Sequence, residues 1–361
     1  MSRSTVLSRR SLLRGLGLGG LAGGAAAARL WLLPGSSVAP AHAQAEGHDG
    51  ASDPMHNMVE GDVDPVVNGY DPMDILTDFD YGTVSTLPNG QTLREYQIVA
   101  SSKTITIAPG VTFPAWTYNG RVPGPTIRCT AGDRIRVTFI NGDTHPHSIH
   151  FHGIHSAAMD GIAPIPPGGQ FEYEFDAEPF GLHLYHCHTT PIRRHIHKGL
   201  YGAFIIDPPT PRPPAKELVM VMNAFDTNFD GENEFYMVNS VAFHYAKHPI
   251  PIKLGELVRI YLVNITEFDL INSFHLHANF FDVYRTGMRL EPHERTDTIM
   301  LAQGERHILE FRYTLPGRYM FHAHVSEFTE LGWMGFFDVA EDGAEAAAFA
   351  PAARFGLCTL T

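Results

Sequence analysis

The 361-residue sequence predicts an all-β protein made of two tandem copies of one sandwich or barrel. Three observations predict it. Short β-branched runs follow one another between turn signals from residue 93 onward. A stretch with five prolines, Pro208, Pro209, Pro211, Pro213 and Pro214, divides the series. Motifs before that stretch recur after it, at offsets of 123 and 136 residues.

Taken in chain order, the first 43 residues read as an export signal. Ser8-Arg9-Arg10-Ser11-Leu12-Leu13 resembles the twin-arginine motif, and an uncharged run follows from Gly15 to Ala28. That run is shorter than the roughly 20 residues a membrane span needs. Ala41-His42-Ala43 supplies a small-residue cleavage site. The expected destination is the periplasm or the cell exterior. Residues 44–92 are polar and rich in Asp, Gly and Pro, an extension expected to wrap the surface irregularly.

The first β-domain is expected over 93–207, from the runs Ile98–Ala100, Lys103–Ile107, Arg134–Ile140, Phe171–Phe175, Leu182–His186 and Gly202–Ile206. Residues 208–215 form a stiff linker, because so many prolines cannot sit in an interior strand. The second domain covers 216–340, and 341–361 is a tail. The halves align residue by residue. Gly132–Asn141 matches Gly255–Asn264, and Leu184-Tyr185-His186-Cys187-His188 matches Met320-Phe321-His322-Ala323-His324.

Composition narrows the function. The chain is 44% hydrophobic and 18% charged, as in ordinary soluble globular proteins. Its formal charge is −13, although the signal segment carries Arg3, Arg9, Arg10, Arg14 and Arg29 and no acid. An acidic body excludes nucleic acid and anionic lipid as natural partners. No other stretch is long and apolar enough for a membrane helix. Three cysteines, Cys129, Cys187 and Cys358, make no disulfide framework, and any pairing of Cys129 with Cys358 is left open.

Chemistry is concentrated in the 21 histidines. Four His-x-His pairs stand at equivalent places in the two copies: His150/His152, His186/His188, His275/His277 and His322/His324. On a strand, residues two apart face the same side, so each pair can offer both imidazoles to one metal cluster. Imidazole alone does not select the metal. Cys187 does. It lies between His186 and His188, so it faces the opposite way, into its own domain, where His147 and His195 can join it. A His₂Cys set is the blue-copper arrangement. The axial position falls five residues after the second histidine, on Leu200, which cannot coordinate. His197 is the other candidate for that histidine and would put Gly202 at the axial position.

These motifs resemble those of the multicopper oxidases. His147-Ser148-Ile149-His150-Phe151-His152-Gly153 looks like the family's His-x-x-His-x-His-Gly signature, and His186-Cys187-His188 like its His-Cys-His. The resemblance covers 93–340 and implies two tandem cupredoxin-like Greek-key β-sandwich domains with four coppers per chain. It assigns His147, Cys187 and His195 to type 1 copper, and His150 and His275 to type 2. His152, His186, His188, His277, His322 and His324 go to the two type 3 coppers. Ala323 stands where a second-domain cysteine would be, so only the first domain takes type 1 copper.

The chain is most similar to two-domain, laccase-like oxidases, which are homotrimers with each cluster between neighbouring subunits. The implied reaction oxidises a phenolic compound, a metal ion or a redox protein one electron at a time and reduces dioxygen to water. Cys187 and its neighbours His186 and His188 would link the two centres. Asp160, Glu327 and Glu330 are candidate proton-relay acids by sequence proximity. Copper nitrite reductases resemble the chain as well, and the loop 189–194 looks more like theirs. They carry aspartate in place of His150 and a non-ligand in place of His188.

Overall fold

The computed structural model describes residues 61–341, which lie within one compact unit, Ser52–Thr361. The signal segment, Met55-His56-Asn57-Met58 and Cys358 lie outside the described residues. No described helix is long and apolar enough to cross a membrane.

The expectation of two β-sandwiches holds, and each is cupredoxin-like. The first half contains β1 (Phe79–Asp80), β2 (Thr83–Thr86), β3 (Thr92–Ala108), β4 (Val111–Tyr118), β5 (Thr126–Thr130), β6 (Arg134–Asn141), β7 (His150–Phe151), β8 (Gln170–Asp176), β9 (Gly181–His186) and β10 (Tyr201–Asp207). One sheet runs β2-β3-β6-β8 with β4 on β3, the other β1-β5-β10-β9-β7. The second half contains β11 (Lys216–Phe225), β12 (Phe235–Val238), β13 (Ile250–Lys253), β14 (Val258–Asn264), β15 (Ile271–Leu276), β16 (Phe281–Arg285), β17 (Glu294–Thr296), β18 (Thr298–Ala302), β19 (Arg306–Phe311), β20 (Gly317–His322) and β21 (Met334–Ala340). Its sheets run β12-β11-β14-β19-β16-β17 and β13-β21-β20-β15-β18.

The duplication extends to strand register. β3 pairs β6 in parallel and β6 pairs β8 antiparallel, as β11 pairs β14 and β14 pairs β19. His150 stands opposite His186, and His275 opposite His322. Two asparagines at matching places, Asn141 and Asn264, are fully buried and tie down the loops that follow, through Asp143 N–H and Thr266 N–H.

The four sheets stack with three apolar layers between them. Tyr185, Phe204, Ile206, Ile135, Val137 and Phe139 fill the first sandwich. Leu218, Met220, Met222, Ile260 and Leu262 fill the second. Leu182, Leu184 and Ile205 of the first half meet Val219, Val221, Tyr261 and Val263 of the second in a third core. This explains a contrast between the matched strands. β6 alternates buried and half-exposed residues, whereas every residue of β14 is buried, because both its faces are covered.

Two expectations are corrected. Ile98–Ala100 and Lys103–Ile107 are one strand, β3, whose first part lines the first sandwich and whose second part lines the interdomain core. The extension is not an irregular wrap where it is described. It forms α1 (Pro65–Asn68) and α2 (Pro72–Ile75), each N-capped by an aspartate, and then β1 and β2 join the first domain. Leu76 is buried in the second domain's core, so this segment spans both domains. The Pro-rich stretch lies between β10, ending at Asp207, and β11, starting at Lys216. Beneath it Arg128 forms ion pairs with Asp207 and Glu217, and Arg259 pairs with Glu217 and Glu310.

Candidate metal centres

β9 carries Leu184 and Tyr185 into two apolar layers and ends at His186, so Cys187 leaves the strand on the inner side of the first sandwich. His147 approaches from the loop before β7, held by backbone bonds to Ile165. His195 comes from α3 (Ile192–His197), a short helix where a loop was expected. The three side chains are buried at 0%, 0% and 4% exposure. His195 Nδ1 lies 3.1 Å from His147 Nδ1 and 3.2 Å from Cys187 Sγ. His147 Nε2 is buried without a hydrogen-bond partner. Burial pushes both imidazoles down to about 4, so they are neutral donors at pH 7. His197 points elsewhere: its Nε2 accepts from Asp226 N–H, and its ring packs on Phe113 and Phe268.

The surroundings of this triad complete a closed pocket. Ser148 N–H donates to the Cys187 sulfur at 3.4 Å. Leu200, fully buried, is held between its neighbours, because its carbonyl accepts from Cys187 N–H and its N–H donates to His195 O. Trp116 covers His147 and His195 at 5.0 and 4.8 Å, and also contacts the exposed His145. Asp143 stands behind His147 and is held down at about 2; burial opposes this, but hydrogen bonds from Ser102 and His145 outweigh it.

On the other side of Cys187 the imidazoles of His150, His152, His186 and His188 converge. His150 lies 5.1, 5.3 and 5.3 Å from the other three rings, centroid to centroid. The second domain repeats this set, with His275 at 5.1, 5.3 and 5.2 Å from His277, His322 and His324. Among the described residues no ring contact joins one set to the other. The two sets are separate half-sites within the chain.

Hydrogen bonds fix which nitrogen faces each cluster. Nδ1 of His150, His186, His275 and His322 lies 2.9, 3.0, 2.8 and 2.6 Å from the carbonyls of Asp160, Cys187, Asp297 and Ala323. A carbonyl only accepts, so the proton sits on Nδ1 and Nε2 turns a lone pair inward. His186 Nε2 faces His152 Nε2 at 3.3 Å, and His322 Nε2 faces His277 Nε2 at 3.0 Å. Burial lowers His152 to about 3 and His186 to about 4. Convergent ring nitrogens, with outer N–H groups anchored, are what a bound metal ion requires.

The candidate acids divide. Asp160 Oδ1 lies 3.1 Å from His150 Nδ1, beside the bond from that nitrogen to its own carbonyl. Glu327 and Glu330 are exposed on α5 (Ser326–Glu330), and among the described residues neither side chain bonds a cluster histidine. Two residues were missed. Ser148 Oγ accepts from His188 N–H, and Ser273 Oγ accepts from His324 N–H and Val325 N–H at 2.8 and 3.2 Å. The sequence held the signal, since both halves read Ser-x-His-x-His.

Comparison with known proteins identifies the family. Two multicopper oxidase family models match, over residues 99–211 and 209–343. A crystal structure of a multicopper oxidase is 55% identical, covers 77% of this chain and 100% of its own, and superimposes with a TM-score of 0.76. The copper-containing nitrite reductase of Neisseria meningitidis serogroup B is 32% identical over 62% of this chain and 62% of its own length. Laccase-2 of Botryotinia fuckeliana is 37% identical over 34% of this chain and 22% of its own. The chain thus spans about three-fifths of the length of the curated nitrite reductases it matches.

Proposed function

The chain belongs to the multicopper oxidase family of copper-using oxidoreductases, and we propose that it takes single electrons from a small reductant and reduces dioxygen to water. The observation that carries this reading is the completeness of the histidine sets: eight imidazoles in two matched half-sites, beside a His₂Cys triad. Copper, when bound, supplies the one-electron steps at His147–Cys187–His195 and the multi-electron reduction of oxygen at the histidine cluster. The proposed complement is four coppers per chain, one type 1, one type 2 and two type 3, on the residues the resemblance assigns.

The protein's own groups divide the labour. His147, Cys187 and His195 form a buried donor set that would hold one copper, with His195 carried by α3, and the neighbouring Leu200 side chain offers no donor atom. Cys187 is bonded through the backbone to His186 and His188, a covalent path from the triad to the cluster side. Trp116 and exposed His145 give a reductant its approach to the triad. Asp160, against His150, is the acid placed to hold a proton at the cluster. Because the half-sites do not meet within the chain, each cluster forms between neighbouring subunits of a homotrimer. Phenol-type compounds are the proposed reductants, with metal ions or a redox protein as alternatives. Export by the twin-arginine route, to the periplasm or beyond, is proposed from residues 1–43.

The nitrite reductase relatives favour a second reading, reduction of nitrite to nitric oxide. His150 and His188 argue against it, since those enzymes replace both, and here the two rings stand 5.3 Å apart in one set. Copper per chain in the fully loaded protein decides: four supports the oxidase, two leaves the nitrite reductase.

A further inference from the structure

A second constellation of metal-binding side chains lies away from these centres, where the 61–75 segment crosses the second domain. Asp62, His244 and His248 each bring one donor atom within 4.8 Å of the others. His248 Nε2 lies 2.6 Å from Asp62 Oδ2. The His244 and His248 rings are 4.7 Å apart, four residues apart along α4 (His244–Lys247) and its C-terminal cap. Asp71 stands against the same imidazole, with Oδ1 3.3 Å from His244 Nε2.

His244 is the residue that demands explanation. It is 4% exposed; among the described residues its Nδ1 has no hydrogen-bond partner, and its Nε2 meets only Asp71 Oδ1, at 3.3 Å and outside hydrogen-bond geometry. Leaving a buried polar group unpaired is costly, and natural cores rarely do so without a reason. A ligand at that nitrogen supplies the reason.

We propose that Asp62, His244 and His248 form a mononuclear site for a divalent ion of the zinc class, with the Asp71 carboxylate beside it. Two imidazoles and a carboxylate are a zinc donor set, and the His-x-x-x-His spacing puts both rings on one face of a helical turn. The two carboxylates carry a charge that one divalent ion cancels. Lys247, next to the cluster, is turned onto the carbonyl of Gly61. The ion would clasp the 61–75 segment to the second domain, where Tyr245 Oη already donates to Pro72 O.

The test uses the copper-loaded full-length protein, so that the oxidase centres are filled. Protein is equilibrated with zinc, freed of unbound metal by gel filtration and analysed for zinc per chain. Asp62→Asn and His248→Gln are measured alongside; both side chains are substantially exposed, so neither change disturbs the core. The expected result is one zinc per chain in the parent and binding at least tenfold weaker in each variant, with copper unchanged. No zinc held by the parent, or equal zinc in all three proteins, would overturn the proposal.

Discussion

Replacing Ser273 by alanine tests how far the second half-site depends on a residue that touches no metal. Ser273 is 2% exposed, and its hydroxyl receives two backbone N–H groups, from His324 at 2.8 Å and Val325 at 3.2 Å. Alanine leaves both without their acceptor. An unpaired buried donor costs about 1–3 kcal/mol, and because His324 is exposed, water can replace one of the two bonds. The net loss is therefore about 2 kcal/mol, a melting temperature lower by about 3 °C in a protein of this size. The same bonds hold the turn that presents His324, so copper should leave the cluster about tenfold more readily. Ser148→Ala is the control, because its oxygen meets His188 N–H and Thr189 at 3.4 and 3.3 Å, and a smaller loss is expected. Calorimetry and copper retention against a chelator read both effects. An unshifted melting temperature with full copper retention would refute the reasoning.

Three further outcomes follow from the geometry. Leu200→Met swaps side chains of similar volume at a cost below about 1.5 kcal/mol and offers a thioether at the axial position. The reduction potential of the blue site should fall, as read by spectroelectrochemistry, with copper content intact. Burial keeps His183 and His307 neutral, pushing each down to about 4 from an ordinary 6.5. Each costs nothing above pH 6.5. As pH falls the unfolded chain takes up protons that the folded one refuses, and stability drops, by about 2 kcal/mol per site at pH 5. His307→Leu should flatten the acid limb of the unfolding free energy, read by urea titration, by about that amount; an unchanged limb would contradict it. Arg128→Met removes the ion pairs with Asp207 and Glu217 that join the domains under the linker. Glu217 keeps Arg259 at 3.0 Å, so the loss should sit at the low end for a broken buried pair, about 3 kcal/mol by thermal unfolding.

The site was more legible in the sequence than the scaffold. Ligand spacing on a strand is rigid, so the alternation His186-Cys187-His188 carried the two-sided arrangement directly, and the structure puts Cys187 and its flanking imidazoles on opposite sides. Equivalence between halves did the rest: it matched His275 to His150 in strand register. What stayed hidden was tertiary. Every residue of β14 is buried, Arg259 included, because a second sheet covers its outer face, which its own residues do not announce. Leu76 sits in a polar-looking extension yet completes the second core. His195 and His197 differ only in which side of α3 they occupy, and the helix that separates them was not expected. The Asp62–His244–His248 group joins residues about 180 positions apart, beyond the reach of any local pattern.

The measurement that bears most directly on the proposed function is the ratio of reductant oxidised to dioxygen consumed by the copper-loaded protein, with peroxide assayed in parallel. Reduction of oxygen to water at a complete histidine cluster predicts four one-electron equivalents per dioxygen and no peroxide. Failure to consume oxygen, together with nitric oxide production from nitrite, would contradict it.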